Sequence, residues 1–433
     1  MSWYGSFNME ERTMKKITLL FAAVLAFAAC QKESVMDNTP ISDTKLVFNL
    51  DINYASVTKA IKTGFVNGDK IFIFFEGVTS GYATIEYDGS KFGDETLNGG
   101  LSVEDLDASG KTLRAIFLPY GNDATPTYGT NWTFDKNTGS YFLTATDNYT
   151  LTKASGITTL TATLNMAVPS DYVQFFVPDG EATGTISLAC NAVKPSGLAS
   201  VSSDGTVTEI NGGQGAFMTA YAATVDSDKG YYASGKLSGA GTVYYFAIEK
   251  GGKYYDFVKQ TASAISNKAA IKLTTYNEVG AGKYTQKTVG GKIWATVNVG
   301  ASKPWEYETT QYTWKGENNS DWTMIASGEG EEMPLNTDFE ALVNNCHHSW
   351  ISIAGVNGYI VIDNAATPTG GYMFLPASGF NGGNYAGSYG LYWSRKEDYT
   401  DYALYLDINI YDGFGVFNAP KDSESSVRPL KNS

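Results

Sequence analysis

The stretch Val243 to Val258, VYYFAIEKGGKYYDFV, is the segment of this chain that most clearly shows its architecture. Aromatic and β-branched residues, which favour strands, flank the pair Gly251-Gly252 on both sides. A two-residue hairpin turn needs backbone conformations with positive φ, and glycine adopts these without steric cost. The segment therefore predicts two antiparallel strands joined by a tight turn. A shorter signal of the same kind surrounds Asp88-Gly89.

The composition of the chain is typical of a protein made mainly of strands. Its 433 residues provide for two to three domains of about 150 residues each. Aromatic residues reach 14% and glycines number 46, a combination that favours strands and tight turns. The formal charge of -14 argues against nucleic acid as a partner, because nucleic acid rewards clustered Lys and Arg. Three cysteines and two histidines leave little material for metal clusters or Cys–His catalysis, so we expect no metal, no cofactor and no enzyme.

The N-terminus resembles the export signal of a bacterial lipoprotein. Lys15-Lys16 precede the apolar run Ile17–Ala29, which is too short to span a bilayer and fits a signal peptide. Small residues end this run just before Cys30, as in a lipobox, which implies removal of residues 1–29 and lipid attachment at Cys30. The alternative is an ordinary secretory signal with an incidental cysteine.

The residues after the cysteine indicate where the protein goes. Lys32-Glu33 resembles the surface-export signal of Bacteroidales lipoproteins, whereas the alternative is a merely polar linker. Residues 30–44 are polar and are expected to form a tether. We therefore expect a lipoprotein held in the outer membrane through its lipid and displayed on the cell surface.

The rest of the chain divides into three blocks. Residues 45–165 and 166–274 carry strands at short, regular spacing with glycine turns, which is typical of β-sandwiches. Residues 283–433 differ because they hold six of the eight tryptophans and the one clear helix signal. Thr337 and Glu340 have the spacing of a capping box, so we expect a helix to begin there. The stretch between the second and third blocks, about 275–283, is the predicted linker.

Three short motifs stand out in the first block and the loop inside it. They are Val57-Thr58-Lys59-Ala60, Gly64-Phe65-Val66-Asn67-Gly68-Asp69-Lys70-Ile71 and Ala115-Ile116-Phe117-Leu118-Pro119-Tyr120. With these motifs, residues 45–273 resemble the fimbrillin family, the subunits of type V pili in Bacteroidales. The resemblance implies two successive β-sandwiches, and partners that are other pilus subunits joined by strand addition.

The same resemblance implies proteolytic processing of the loop after the first strand. Lys59 and Lys62 occupy the equivalent positions here. The family's protease is Arg-specific, and no arginine occurs between Cys30 and Arg114, which puts Arg-dependent processing in doubt. Stalk subunits end soon after their second sandwich, so the additional residues 283–433 suit a tip or accessory subunit better than a repeating stalk subunit.

The third block carries its own set of motifs. They are Trp294-Ala295-Thr296-Val297-Asn298-Val299-Gly300, Phe339-Glu340-Ala341-Leu342, Phe374-Leu375-Pro376-Ala377-Ser378-Gly379, Tyr392-Trp393-Ser394 and Ser426-Val427-Arg428-Pro429. In their order and spread these resemble the Fibrobacter succinogenes major paralogous domain, which implies an α+β, C-type-lectin-like fold. The family's Trp-Arg-Leu-Pro-Thr entry to the helix is replaced here by Met333-Pro334-Leu335-Asn336-Thr337.

The loop Phe380–Gly390, rich in glycine, asparagine and tyrosine, is the strongest candidate for a ligand site. Aromatic rings stack on sugar faces, and asparagine amides offer a donor and an acceptor to hydroxyl groups. We therefore expect a glycan or a host or bacterial surface protein to bind at Asn381, Asn384, Tyr385 and Tyr389. The alternative is a long loop that needs glycine only for its turns.

The tryptophans are weaker candidates for ligand binding. Trp294 and Trp393 lie inside the motifs of the third block, so we expect them in the core. Trp305, Trp314 and Trp322 lie in a less constrained insertion and are weaker binding candidates.

Residues that could hold a metal favour structural roles instead. His347-His348 and Cys346 come at the end of the predicted helix, where adjacent side chains point about 100° apart and cannot clamp one ion. Asp407 and Asn409 alternate with apolar residues, as on an exposed strand face that ends in a turn at Asp412-Gly413, although a lectin-like calcium site stays open.

Taken together, these patterns predict a surface lipoprotein whose C-terminal domain binds a ligand. The leading hypothesis is a pilus-tip or pilus-associated adhesin. The alternative is a free-standing lipoprotein that captures polysaccharide for an uptake system. A disulfide between Cys190 and Cys346 would have to cross domains, so we expect these two cysteines to be free.

Overall fold

The computed structural model describes residues 45–54, 64–78, 81–93, 95–106, 109–117, 131–133, 143–168, 171–195, 198–201, 205–209, 213–225, 227–238, 242–261, 265, 270–280, 284–317, 331–363, 371–411 and 413–431. The expected lipid-attachment residue Cys30 and the expected processing residues Lys59 and Lys62 lie outside these ranges, as does Trp322. No helix within these ranges has the length and apolar character needed to cross a bilayer.

Strands dominate the described residues, which confirms the prediction of a mainly β fold. The strands are β1 (Lys45–Tyr54), β2 (Lys70–Phe75), β3 (Tyr82–Glu86), β4 (Thr96–Asn98), β5 (Thr112–Phe117), β6 (Asn131–Thr133), β7 (Leu143–Asn148), β8 (Thr150–Ala154), β9 (Ile157–Met166), β10 (Tyr172–Pro178), β11 (Thr185–Cys190), β12 (Val193–Pro195), β13 (Leu198–Val201), β14 (Val207–Glu209), β15 (Met218–Val225), β16 (Asp228–Leu237), β17 (Val243–Lys250), β18 (Lys253–Gln260), β19 (Ala270–Lys272), β20 (Asn277–Val279), β21 (Glu331–Glu332), β22 (Cys346–Ile353), β23 (Val356–Asp363), β24 (Tyr372–Pro376), β25 (Tyr389–Tyr399), β26 (Tyr402–Asn409), β27 (Gly413–Pro420) and β28 (Leu430–Lys431). One α-helix, α1 (Asn336–Asn345), and a 3₁₀ turn at Val103–Asp105 complete the elements of the described residues.

The first sandwich packs a three-stranded sheet, in the order β1-β9-β8, on a five-stranded sheet, β4-β3-β2-β5-β7. Strand β1 runs parallel to β9 along its whole length, from Lys45 opposite Ile157 to Tyr54 opposite Met166. Apolar side chains of both sheets meet in one core, because alternate residues of a strand point to the same face.

The second block forms one nine-stranded sheet in the order β19-β10-β16-β15-β11-β17-β18-β20, with β12 paired to β16. The rings of Phe175 on β10 and Phe246 on β17 meet at 5.3 Å although these strands are not neighbours, so the sheet folds over a core, and we call it the second sandwich. Its β17–β18 hairpin turns at Gly251 and Gly252, which have φ of +57° and +77°, as the sequence predicted. Strand β17 is apolar on both faces for a reason that the structure shows. Phe246 lies in the core of this sandwich, whereas Tyr245 lies in a second core that the sandwich shares with the C-terminal residues.

The C-terminal residues form the sheets β22-β23-β24, β25-β26-β27 and β21-β28, with α1 packed against them. Trp294 stacks on Phe339 of α1 with ring centroids 5.7 Å apart, and both side chains are fully buried. Trp393 is also fully buried. The prediction that Trp294 and Trp393 belong to the core is confirmed.

Helix α1 begins at a different residue from the one that the sequence predicts. The carboxylate of Asp338, rather than Glu340, reaches back and accepts a hydrogen bond from the N–H of Leu335 at 2.8 Å. The predicted capping box of Thr337 and Glu340 is therefore wrong, because the helix begins at Asn336, before Thr337. The short side chain of an aspartate at the third helical position suffices to bind the free N–H group.

The histidine pair lies on a strand and not at the end of a helix. Helix α1 ends at Asn345 and β22 starts at Cys346, so His347 and His348 point to opposite sheet faces. His347 is exposed, and His348 stacks on Phe414 with ring centroids 4.3 Å apart. Burial lowers the pKa of His348, which favours its neutral form.

The stretch predicted as a linker is partly structured. Asn277–Val279 form β20, which pairs with β18 of the second sandwich, so the prediction of a linker is wrong for these residues. The second sandwich and the C-terminal sheet β22–β24 then share a buried core, which we call the junction. Its buried members are Ala189, Tyr245, Ala247, Val279, Trp305, Ile351, Ile353, Val356, Ile360, Ile362 and Phe374.

Trp305 belongs to this junction and does not face solvent. It is 2% exposed, and its ring meets those of Tyr245 and Tyr254 edge-on at 6.5 and 6.3 Å. Its indole N–H donates to Glu249 Oε1 at 3.3 Å, and Lys303 pairs with the same carboxylate at 2.9 Å. The interpretation of Trp305 as a weak binding candidate is therefore wrong.

Candidate ligand-binding site

The predicted ligand loop connects β24 to β25 and is closed at its base by backbone hydrogen bonds. The N–H of Gly379 donates to the carbonyl of Tyr389 at 2.7 Å, and the N–H of Gly387 donates to that of Ala377 at 2.7 Å. The ends of the loop are thus held together, as in compact surface loops that carry function.

Two residues distant in sequence fix the tip of the loop. Gln311 Oε1 accepts from the N–H groups of Gly382 and Gly383 at 3.0 and 3.2 Å, and its Nε2 donates to the carbonyl of Ser378 at 3.1 Å. The N–H of Glu424 donates to Asn381 Oδ1 at 2.6 Å. These bonds order a glycine-rich segment that would otherwise have many conformations.

The two predicted asparagines contribute to this support. Asn381 uses its side-chain oxygen for Glu424, and Asn384 Nδ2 donates to the carbonyl of Asn381 at 2.9 Å. Both residues are exposed. Ligand binding through their remaining amide atoms stays a prediction.

The two predicted tyrosines belong to a continuous row of rings, which we call the aromatic series: Phe380, Tyr385, Tyr389 and Tyr411. The rings of Phe380 and Tyr385 are stacked at 5.4 Å, those of Tyr385 and Tyr389 meet edge-on at 6.0 Å, and Tyr411 lies 6.2 Å from Tyr389. The N–H of Ile410 donates to the carbonyl of Ser388 at 3.0 Å and places the β26–β27 turn beside the loop.

Two members of the series, Tyr385 and Tyr411, are largely exposed to solvent. Tyr385 is 65% exposed and Tyr411 is 77% exposed. Tyr385 also has a φ of +62°, a left-handed conformation that bulky residues rarely adopt and that costs on the order of 1 kcal/mol or more. Backbone strain of this kind concentrates at functional sites, where the surrounding structure maintains it.

A cleft of about 470 Å³ lies beside the loop. Its lining consists of Tyr307, Glu308, Thr309, Gln311, Ser378, Gly382, Gly383, Ala386 and Glu424. The volume is within the range of small-ligand sites. Glu308 and Glu424 bring two carboxylates to this wall, and none of the lining residues is Lys or Arg. The cleft therefore favours ligands that are uncharged and rich in hydroxyl groups over anionic ones.

The residues considered for metal binding have other partners. Asn409 Nδ2 donates to Asp407 Oδ2 at 2.9 Å, while Asn409 Oδ1 accepts from the N–H groups of Tyr411 and Gly413 at 3.0 and 3.2 Å. Asn409 thus organises the turn that carries Tyr411. No group of three or more His, Cys, Asp or Glu side chains could hold a metal ion in the part of the chain that the structure describes.

The thiols of Cys190 and Cys346 are both free. Burial raises the pKa of Cys190 to about 12 and that of Cys346 to about 11. Since the thiolate is the reactive form, these cysteines are poor nucleophiles.

Comparisons with known proteins give only distant likenesses. No protein-family model matches the chain, and no curated protein matches it. Among solved structures, the chain is similar to a Bacteroides ovatus protein named as a candidate cell adhesion protein, with 11% identity and a TM-score of 0.32 over 54% of this chain and 95% of that chain. It is also similar to a protein of the same organism named as a candidate adhesin, with 8% identity and a TM-score of 0.25 over 57% of this chain and 97% of that chain.

Proposed function

We propose that this protein is a cell-surface adhesin whose C-terminal domain binds an uncharged glycan through the aromatic series. The observation that carries the proposal is a row of four rings in which Tyr385 and Tyr411 are exposed and Tyr385 has a strained backbone conformation. The C–H faces of sugars stack on such rings, and rigid aromatic side chains lose little conformational entropy on binding. In the cleft beside the same loop, the carboxylates of Glu308 and Glu424 supply acceptors for sugar hydroxyl groups.

The connection between the C-terminal domain and the second sandwich supports a role in adhesion. A ligand-binding head on a flexible linker reorients freely, whereas a head packed on a hydrophobic junction presents its site in one orientation relative to the second sandwich. The junction here includes Trp305 and Tyr245, together with the backbone hydrogen bond from the N–H of Ala354 to the carbonyl of Gly215 at 2.5 Å.

We place this adhesin at the tip or along the side of a pilus, with lipid attachment at Cys30 as the means of reaching the outer membrane. Strand β1 lies at an edge of its three-stranded sheet in the described residues, and such an edge offers backbone groups to a neighbouring subunit's strand. A surface lipoprotein that captures polysaccharide for uptake is the alternative, because the same aromatic series suits both roles.

Truncation of the two exposed rings, Tyr385 and Tyr411, is the direct test of glycan binding. We expect Tyr385→Ala and Tyr411→Ala each to weaken binding to a neutral polysaccharide about tenfold, since each removes a contact ring. Immobilised neutral glucan, mannan and galactan serve as probes, with hyaluronan as the anionic comparison. The matched control is Tyr399→Ala, because Tyr399 is also 65% exposed but lies at the far end of β25. Equal loss in the control, or no loss in the two variants, would contradict the proposal.

The anchor is tested on the intact cell. An alkyne fatty acid fed to the cells is expected to label the wild-type protein and not Cys30→Ala. N-terminal sequencing of the surface form decides between two states. A start at acylated Cys30 indicates a retained anchor, whereas a start after Lys59 or Lys62 indicates a processed, assembling subunit. Wild-type protein that carries no fatty acid and has lost only its signal peptide would contradict the lipoprotein assignment.

A further inference from the structure

The junction contains one buried carboxylate, that of Asp256 on β18. Asp256 is 4% exposed, and its neighbours on the same strand face, Tyr254 and Val258, pack against the junction core. In the sheet register Asp256 lies opposite Ala247, another junction residue. The side chain therefore lies between the second sandwich and the C-terminal domain, where an ionised carboxylate is costly.

Hydrogen bonds to Asp256 come from both sides of the junction. Tyr372 of β24, in the C-terminal domain, donates its hydroxyl to Oδ1 at 2.9 Å. Tyr245 of β17, in the second sandwich, donates to Oδ2 at 3.1 Å. Asn277 of β20 donates in turn to the Tyr372 hydroxyl at 2.7 Å. Asp256 thus connects the two parts directly.

Among the residues that the structure describes, no Lys or Arg side chain contributes to the pKa of this carboxylate, and Lys287, which lines the cavity beside it, is exposed to solvent. Arg428 uses its guanidinium on three other acceptors, Asn298 Oδ1 and the carbonyls of Ala295 and Phe374. Lys253, on the same strand, pairs with Glu278 at the exposed rim. The groups that hydrogen-bond with Asp256 are therefore neutral hydroxyls and an amide, which stabilise a carboxylate less than an ion pair does.

A cavity of about 180 Å³ adjoins the carboxylate and gives water a place beside it. Asp256, Tyr372 and Asn277 line one side, and the segment from Tyr284 to Lys287 lines another.

We propose that Asp256 is a proton-sensitive latch that fastens the C-terminal domain to the second sandwich more tightly in acid than at alkaline pH. The protonated carboxyl fits the apolar junction and keeps its two tyrosine partners. The ionised carboxyl favours opening, because separation of the two parts returns it to water.

The sign and the pH window follow from the two states. Burial raises the pKa of Asp256 from 3.8 to about 7 in the closed junction. An open junction exposes the group and restores its ordinary value, so the closed form binds the proton more tightly. As pH falls from about 7 towards 4, the ratio of closed to open junctions rises by up to about tenfold per pH unit. Above pH 7 both forms are ionised and the gain is absent.

Amide hydrogen exchange of the full chain, corrected for the intrinsic rate, tests the latch. We expect protection of amides in β17 and β24 to increase by up to about tenfold per unit between pH 7 and 5, relative to amides in β2 and β5 of the first sandwich. In Asp256→Asn, whose side chain is neutral at every pH, the protection of β17 and β24 should not depend on pH in this way. Glu249→Gln removes a carboxylate from the same junction and should keep the wild-type slope.

Two outcomes overturn the latch. One is wild-type protection of β17 and β24 that is independent of pH relative to β2 and β5. The other is a pH dependence of this protection that is the same in Asp256→Asn as in the wild type. Both readouts are independent of any ligand, so they do not depend on the proposed glycan binding.

Discussion

Replacing Gly215 with alanine is expected to lower the free energy of unfolding by about 3 kcal/mol, more than most single methyl additions. Gly215 has a φ of +75°, and a Cβ there would lie 2.0 Å from the backbone carbonyl oxygen of Ser352. Backbone atoms cannot rotate away as a side chain can. The added methyl group must therefore push β22 away from the second sandwich and break the bond from Ala354 to Gly215.

The matched control separates conformational strain from the clash. Gly252 has a nearly identical φ of +77°, and no atom lies within 4 Å of the Cβ position. Gly252→Ala should therefore cost only the left-handed strain, about 1 kcal/mol. Urea unfolding of both variants measures the difference. Equal destabilisation would show that β22 does not pack against Gly215.

The junction could not be predicted from the sequence, although two of the strands that form it could. The tyrosine-rich hairpin predicted β17 and β18, because turn chemistry and strand preference are local properties. Apolar residues on both faces indicate burial, but they do not say what covers each face. The covering surface comes from β22–β24, about a hundred residues later in the chain. Asp256 was one polar residue in an apolar run, and only its surroundings give it a role.

The ligand site was predicted only in part, because only its local residues leave a signal in the sequence. The local density of glycine, asparagine and tyrosine pointed to Tyr385 and Tyr389, and the structure places their rings together. Tyr411 and Gln311 lie far from the loop in sequence and carry no motif. The one signal for Tyr411 was its position in a turn after β26, where a large exposed aromatic residue is uncommon.

Truncation of Arg428 to alanine is expected to destabilise the C-terminal domain by about 4 kcal/mol or more. The side chain is fully buried, and its three nitrogens donate to Asn298 Oδ1, the Ala295 carbonyl and the Phe374 carbonyl at 2.8, 3.1 and 3.0 Å. Removal leaves a large cavity and three buried acceptors without donors. Burial lowers the pKa of Arg428 to about 10, so the group stays charged at neutral pH and its bonds stay charge-assisted.

Arg428→Lys distinguishes geometry from charge. Lysine keeps the positive charge, but its single ammonium group cannot reach three acceptors that lie in the directions of a planar guanidinium. We therefore expect Arg428→Lys to recover less than half of the loss. Arg395→Ala, at a half-buried position on β25, is the control and should cost under about 1 kcal/mol. Thermal unfolding gives the comparison. Wild-type stability in Arg428→Lys would mean that a buried charge, and not the three-way bridge between residues 295–298, β24 and the C-terminal segment, holds this domain together.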